Sequence, residues 1–103
     1  MYKTLIIVAC LLTVWLASCK IAPNPCFVVL TPADSIRVGY AVRFDGSCTT
    51  DASKYYWDFG NGQTSTAIVT QVKYDTIGSY KVALTVGSTG KSGSTTKTIV
   101  VNP

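Results

Sequence analysis

Residues 55–62 read Tyr-Tyr-Trp-Asp-Phe-Gly-Asn-Gly, and no other stretch restricts the fold as much. Tyr55, Trp57 and Phe59 take every second position, with Tyr56 and Asp58 between them. In an extended backbone alternate side chains point to opposite faces, so the three aromatics share one face and need an opposing layer to bury them. A helix would instead turn Trp57 away from its two neighbours. Gly60, Asn61 and Gly62 follow, and Asn-Gly is a strong reversal signal because both residues tolerate positive φ. The segment reads as a core-facing strand that runs into a tight turn.

The chain from residue 26 onward repeats this logic. It is rich in Val, Thr, Tyr and Ile, places turn residues every eight to twelve positions, and shows no helical periodicity. That pattern predicts an all-β fold, an immunoglobulin-like sandwich of about seven to eight strands. The expected runs are Cys26 to Leu30, Gly39 to Asp45, Lys54 to Phe59, Thr64 to Ile68, Val69 to Tyr74, Tyr80 to Val86 and Lys97 to Val101. Gly87 to Ser94 reads as a flexible hairpin loop. Alternation within the runs assigns Val42, Phe44, Tyr55, Trp57, Phe59, Tyr80, Val82 and Leu84 to the core.

Four segments taken together, VRFDGS at 42–47, YYWDFGNG at 55–62, YDTIGSYKVALTV at 74–86 and TIVV at 98–101, resemble the successive signatures of the PKD domain. The resemblance covers roughly residues 27–101 and implies the immunoglobulin-like sandwich already read from the strands. It also implies a role in protein–protein or protein–carbohydrate contacts, commonly beside other domains. Tyr80, just after Gly78-Ser79, resembles a tyrosine corner, whose hydroxyl bonds an upstream backbone group. Two departures stand out. Asn61 occupies a position where the family usually has Asp, and Val72-Lys73-Tyr74 lacks a histidine common there.

The N-terminus does not belong to this fold. Lys3, an apolar run from Leu5 to Leu16 and small residues before Cys19 follow the layout of an export signal. Leu16-Ala17-Ser18-Cys19 resembles the lipobox of bacterial lipoproteins, in which the cysteine thiol is acylated and becomes the first mature residue. The alternative is an ordinary secretory signal in which Cys19 is incidental. The expected organisation is a signal peptide over 1–18, a lipidated N-terminus and linker over 19–25, and the sandwich over 26–103. Lys20 is not the aspartate associated with inner-membrane retention, so the outer membrane is favoured if the host is Gram-negative. The six residues after Cys19 reach about 20 Å, which keeps the domain close to the bilayer.

Cys26 and Cys48 remain as a pair in an exported chain, where oxidation is the ordinary state. In an antiparallel sandwich the start of the first strand and the end of the second lie at one end, which brings the two near each other. Disulfide formation is expected, with two free thiols as the alternative.

The residues argue against catalysis. Asp58-Phe59-Gly60 has the letters of the magnesium-holding tripeptide of protein kinases, but no glycine-rich phosphate loop or catalytic-loop motif accompanies it. The chain contains no histidine, which excludes Ser-His-Asp triads and imidazole-ligated metals. No cofactor is expected. Calcium is the one candidate ion, with Asp45, Asp51, Asp58 and Asn61 as oxygen ligands, against the plainer reading that these residues shape turns. The net charge of +4 comes from scattered Lys and Arg and forms no block, so a nucleic-acid partner is not supported. The expected partners are the membrane, through Cys19, and an unknown protein or glycan contacting Tyr40 and Tyr56. A non-enzymatic binding module is the first reading and a structural subunit of an envelope assembly the second.

Overall fold

A computed structural model describes residues 22–103; the signal segment and Cys19 lie outside the described residues. Seven strands form two antiparallel sheets. β1 (Val28–Val29), β2 (Ala41–Asp45) and β5 (Val69–Lys73) make the smaller sheet in the order β1-β2-β5. β3 (Lys54–Asp58), β4 (Thr64–Ser65), β6 (Gly78–Ser88) and β7 (Lys91–Val101) make the larger in the order β4-β3-β6-β7. The predicted immunoglobulin-like sandwich is the fold observed.

The largest departure from the sequence reading lies at residues 87–94. Instead of a flexible loop, β6 and β7 pair without interruption from Gly78↔Val101 to Ser88↔Lys91. Only Thr89 and Gly90 lie outside the ladder, and Gly90 supplies the positive φ of +71° that a two-residue turn requires. Ser, Thr and Gly side chains bury little, which makes the segment look like a loop. The ladder depends on main-chain groups, which these residues offer as fully as Val does. The other strands are shorter than expected, most of all β1 and β4, which hold two residues each.

The core lies between the sheets. Trp57 stacks on Phe59 with centroids 5.8 Å apart, and Phe27 meets the indole edge-on at 5.1 Å. Phe44 leans on Phe59 from the facing sheet at 5.4 Å. Val42, Val82 and Leu84 fill the remaining space and are fully buried. Tyr55 and Tyr80 are only half-buried, because both sit where the sandwich margin opens to solvent. The Tyr80 hydroxyl donates to the Thr76 carbonyl at 2.7 Å, which is tyrosine-corner geometry. Tyr74, not assigned to the core from sequence, is fully buried against Tyr80 and donates its hydroxyl to the Phe59 carbonyl at 2.8 Å.

The reversal after Phe59 uses a different mechanism from the one expected. Gly60 and Gly62 take positive φ, at +81° and +92°, whereas Asn61 does not. Asn61 acts through its side chain, accepting the Gln63 N–H at 3.0 Å, while Phe59 N–H reaches the Gln63 carbonyl at 3.1 Å.

Cys26 and Cys48 are joined in a disulfide with Cα atoms 5.3 Å apart. Thr49 reinforces the junction, accepting the Cys26 N–H at 3.0 Å and donating to its carbonyl at 2.9 Å. Asn24 pairs with Thr50 in an antiparallel bridge, and a Cβ on Gly93 would come within 3.0 Å of the Pro23 carbonyl oxygen. Pro23–Pro25 therefore packs on the domain. The prolines that stiffen this segment also give it a surface to pack.

Candidate functional site

The outer face of the larger sheet carries a groove of about 680 Å³. Pairing of Tyr56 with Thr85 and of Lys54 with Gly87 sets these residues side by side on the face opposite Trp57. Gly87 pairs onward with Ser92 of β7. Tyr56 stands between Lys54 and Thr85 with about half of its surface exposed (49%). Thr66 and Ile68, from the crossover between β4 and β5, form the opposite wall.

That wall is held from inside the core. The Trp57 indole N–H donates to the Ala67 carbonyl at 2.7 Å, and Gly46 N–H donates to the Ile68 carbonyl at 2.9 Å. Ser65 Oγ accepts the Ala67 N–H at 3.2 Å. The core tryptophan thus has a second task, since its polar end fixes the residue between Thr66 and Ile68. Gly46 is constrained as well, because a Cβ there would sit 3.1 Å from the indole Cζ2. At the floor, Ser53 N–H donates to the Gly87 carbonyl at 2.8 Å. The groove is a preformed feature of the sheet.

Its chemistry follows from its lining. The Tyr56 ring, the Ile68 side chain and the methyl groups of Thr66 and Thr85 offer apolar contact. Hydroxyls of Ser53 and Ser92 stand among them, and among the described residues Lys54 is the one charged lining residue. β6 lies between β3 and β7 with its main-chain groups in ladder bonds, whereas β3 meets β4 only at Trp57 and Asp58, so among the described residues its edge at Lys54–Tyr56 has no strand partner on that side.

The proposed calcium ligands are not brought together. Asp45 and Asp51 lie at the end of the sandwich where β3 begins, and Asp58 and Asn61 where it ends, about 13 Å of strand away. Among the described residues no three His, Cys, Asp or Glu side chains cluster. Each has local work instead. Asp45 accepts the Ser47 N–H at 2.8 Å, and hydrogen bonding from the Ser47 side chain and backbone holds its carboxyl below the ordinary aspartate value. Asp58 accepts the Gly60 N–H at 3.0 Å. Asp51 adopts positive φ in an exposed loop. Tyr40 is exposed (66%) but precedes β2, on the other sheet and at the far end from the groove. Tyr56, singled out in the sequence by its outward position, lines the groove, whereas Thr66, Ile68, Thr85 and Ser92 have no chemical signature of their own.

Two antiparallel sheets around an aromatic core, with a groove on the larger sheet, define a β-sandwich domain. The chain belongs to the PKD domain family, whose model matches residues 22–102. The PKD1 domain of the Vibrio cholerae metalloprotease PrtV is 35% identical, with a TM-score of 0.67 over 81% of this chain and 100% of that one. A structure of carbohydrate-binding modules of the β-sandwich superfamily, described there as promiscuous in specificity, is 34% identical with a TM-score of 0.74, over 81% of this chain and 35% of that one. Among whole proteins, a microbial collagenase of Vibrio alginolyticus is 34% identical over 79% of this chain, which spans only 10% of the collagenase.

Proposed function

We propose that the chain is a non-enzymatic binding module, lipid-anchored at Cys19 in the bacterial envelope, that holds a carbohydrate chain in the Tyr56 groove. The observation that carries this reading is the position of the groove over a sheet face. An extended peptide draws much of its affinity from main-chain hydrogen bonds to a sheet edge. Here the floor is the β3–β6–β7 ladder, whose paired backbone leaves side chains to meet a ligand, and only the short β3 edge at Lys54–Tyr56 lacks a strand partner. A sugar ring asks for the opposite set, an aromatic or methyl surface for its C–H face and hydroxyls for its rim, and the lining supplies both. Similarity to the carbohydrate-binding modules supports the same class of ligand. The lipobox-like Leu16–Cys19 supports the anchor, with Lys20 favouring the outer membrane.

The test is retention of the full chain on insoluble polysaccharides and on a glycan array, beside a Tyr56→Ala variant. Binding lost in the variant with its melting temperature unchanged supports the groove. Equal retention of both proteins would refute it. Metabolic labelling with a fatty-acid analogue, lost on Cys19→Ala, tests the anchor separately.

One observation favours the structural reading as a second. Among the described residues β7 pairs only with β6, and beside it lies a hollow of about 430 Å³ lined by Val29, Pro32, Ile36 and Ile99. A partner strand could add there. Lys97 opposes this use, since it sits at an inward position of that edge with its ammonium 5.6 Å from the Phe27 ring centroid, and a charge so placed discourages edge-to-edge pairing. A single stoichiometric protein recovered from solubilised envelope, with no glycan binding, would favour this second reading.

A further inference from the structure

The groove carries information about the charge of its ligand. Lys54 lies two residues before Tyr56 on the same face, about 7 Å away along the strand, and among the described residues no Asp or Glu lines the groove. Asp58 shares the face, but it lies beyond Tyr56 and turns one carboxylate oxygen to Gly60. A neutral sugar seated on Tyr56 leaves the Lys54 ammonium with water as its partner. A sugar that carries a carboxylate on the ring supplies the partner at that distance, while its C–H face still rests on the aromatic ring. One lysine matches one carboxylate per seated ring, whereas polyphosphate or nucleic acid is ordinarily met by clustered cations.

We propose that the groove takes a polyuronate, a polysaccharide of carboxylated sugars, with Tyr56 against the face of one ring and Lys54 on its carboxylate. This rests on the carbohydrate reading above and narrows it to a substrate class. Tyr56 and Ile68 supply shape and apolar contact, and Lys54 supplies the preference for acid over neutral sugar. Trp57 is a positioning residue, since its N–H holds Ala67 and with it the Thr66–Ile68 wall.

The test uses the full chain in detergent micelles, titrated with polygalacturonate and with the same polymer fully methyl-esterified. Esterification removes the charge and keeps the ring. The ester should bind about tenfold more weakly than the acid, the order expected for loss of one charge-assisted hydrogen bond. Lys54→Gln should lose the same factor toward the acid and nothing toward the ester, and raised salt should erase the difference. Tyr56→Ala should abolish both.

Equal binding of acid and ester by the parent overturns the charge assignment and leaves the carbohydrate reading standing. Undiminished binding by Tyr56→Ala overturns both. Phosphatidylglycerol vesicles form a separate arm, because the N-terminal tether reaches the domain at Gly93, beside Ser92 of the groove. Lys54-dependent vesicle binding with no polygalacturonate binding would assign this charge to the membrane and overturn the proposal.

Discussion

Reducing the Cys26–Cys48 bridge should destabilise the domain by a calculable amount and through the unfolded chain. The bridge spans a sequence separation of 22 residues, for which loop-closure entropy gives about 3.4 kcal/mol at room temperature. A domain of this size has a total stability on the order of 4–12 kcal/mol, so the loss is a large share of it. With an unfolding entropy of about 2.1 cal/mol/K per residue, the melting temperature should fall by roughly 15–25 °C.

The native junction should survive, because Thr49 exchanges two hydrogen bonds with the Cys26 backbone and Asn24 pairs with Thr50 without help from sulfur. Thermal and urea melts of the oxidised chain, the reduced chain and a Cys26→Ala/Cys48→Ala variant test both halves of this reasoning. The urea m-value should rise on reduction, since a chain without the cross-link exposes more surface when it unfolds. Amide chemical shifts should change only near residues 24–27 and 46–51. A drop of less than 5 °C would refute the entropic estimate. A large drop with an unchanged m-value and shifts changed throughout the sandwich would show that the bridge holds the native state together instead.

Three further perturbations test the core and the turn. Gly60→Ala should cost about 2–4 kcal/mol in chemical denaturation, because it forces a side chain into φ +81° and sets its Cβ 2.8 Å from the Lys81 carbonyl oxygen. Gly62→Ala meets no atom within 4 Å and should cost less. Trp57→Ala should cost about 3–5 kcal/mol by its cavity and should also weaken polysaccharide binding, since it frees Ala67. Tyr74→Phe leaves the Phe59 carbonyl without its donor and should cost about 1–2 kcal/mol at neutral pH. Burial first, and the neighbouring Tyr80 and Asp58 second, hold the Tyr74 hydroxyl above the ordinary tyrosine value. A group whose folded pKa is raised stabilises fully below its unfolded pKa and loses that contribution as pH rises. The parent should therefore lose stability above about pH 10, more steeply than Tyr74→Phe, in pH-dependent melts.

The larger sheet and the core were legible because large apolar residues at period two have few alternatives to a buried strand face. Trp57, Phe59, Val82 and Leu84 could be assigned from alternation, and the Asn-Gly pair marked the turn. The Ser88–Lys91 hairpin was misread because its strands are held by main-chain pairing, which hydroxyl and glycine residues support without leaving an apolar pattern. Tyr74 was passed over for a related reason, since it lies one residue past the end of β5 and its burial depends on a contact with Tyr80 from another strand. The groove was legible only at Tyr56. Thr66 and Ile68 acquire their role from where the β4–β5 crossover runs, and that path is set by the Trp57 and Gly46 hydrogen bonds.

The two ends of the sandwich divide the work between scaffold and groove. At the end where β3 stops, Gly60, the Tyr74 hydroxyl and the Tyr80 corner brace the turns, and every polar group named there has an internal partner. At the end where β3 starts, the disulfide, the Pro23–Pro25 segment and the Thr66–Ile68 wall frame a groove whose lining is mostly exposed. Substitution at Lys54, Thr66, Thr85 or Ser92 removes no core contact and should change stability by about 0.5 kcal/mol or less. Trp57 joins the two, filling the core with its ring and fixing the groove wall with its N–H. A ligand preference can therefore change at the rim while the scaffold that positions it stays the same.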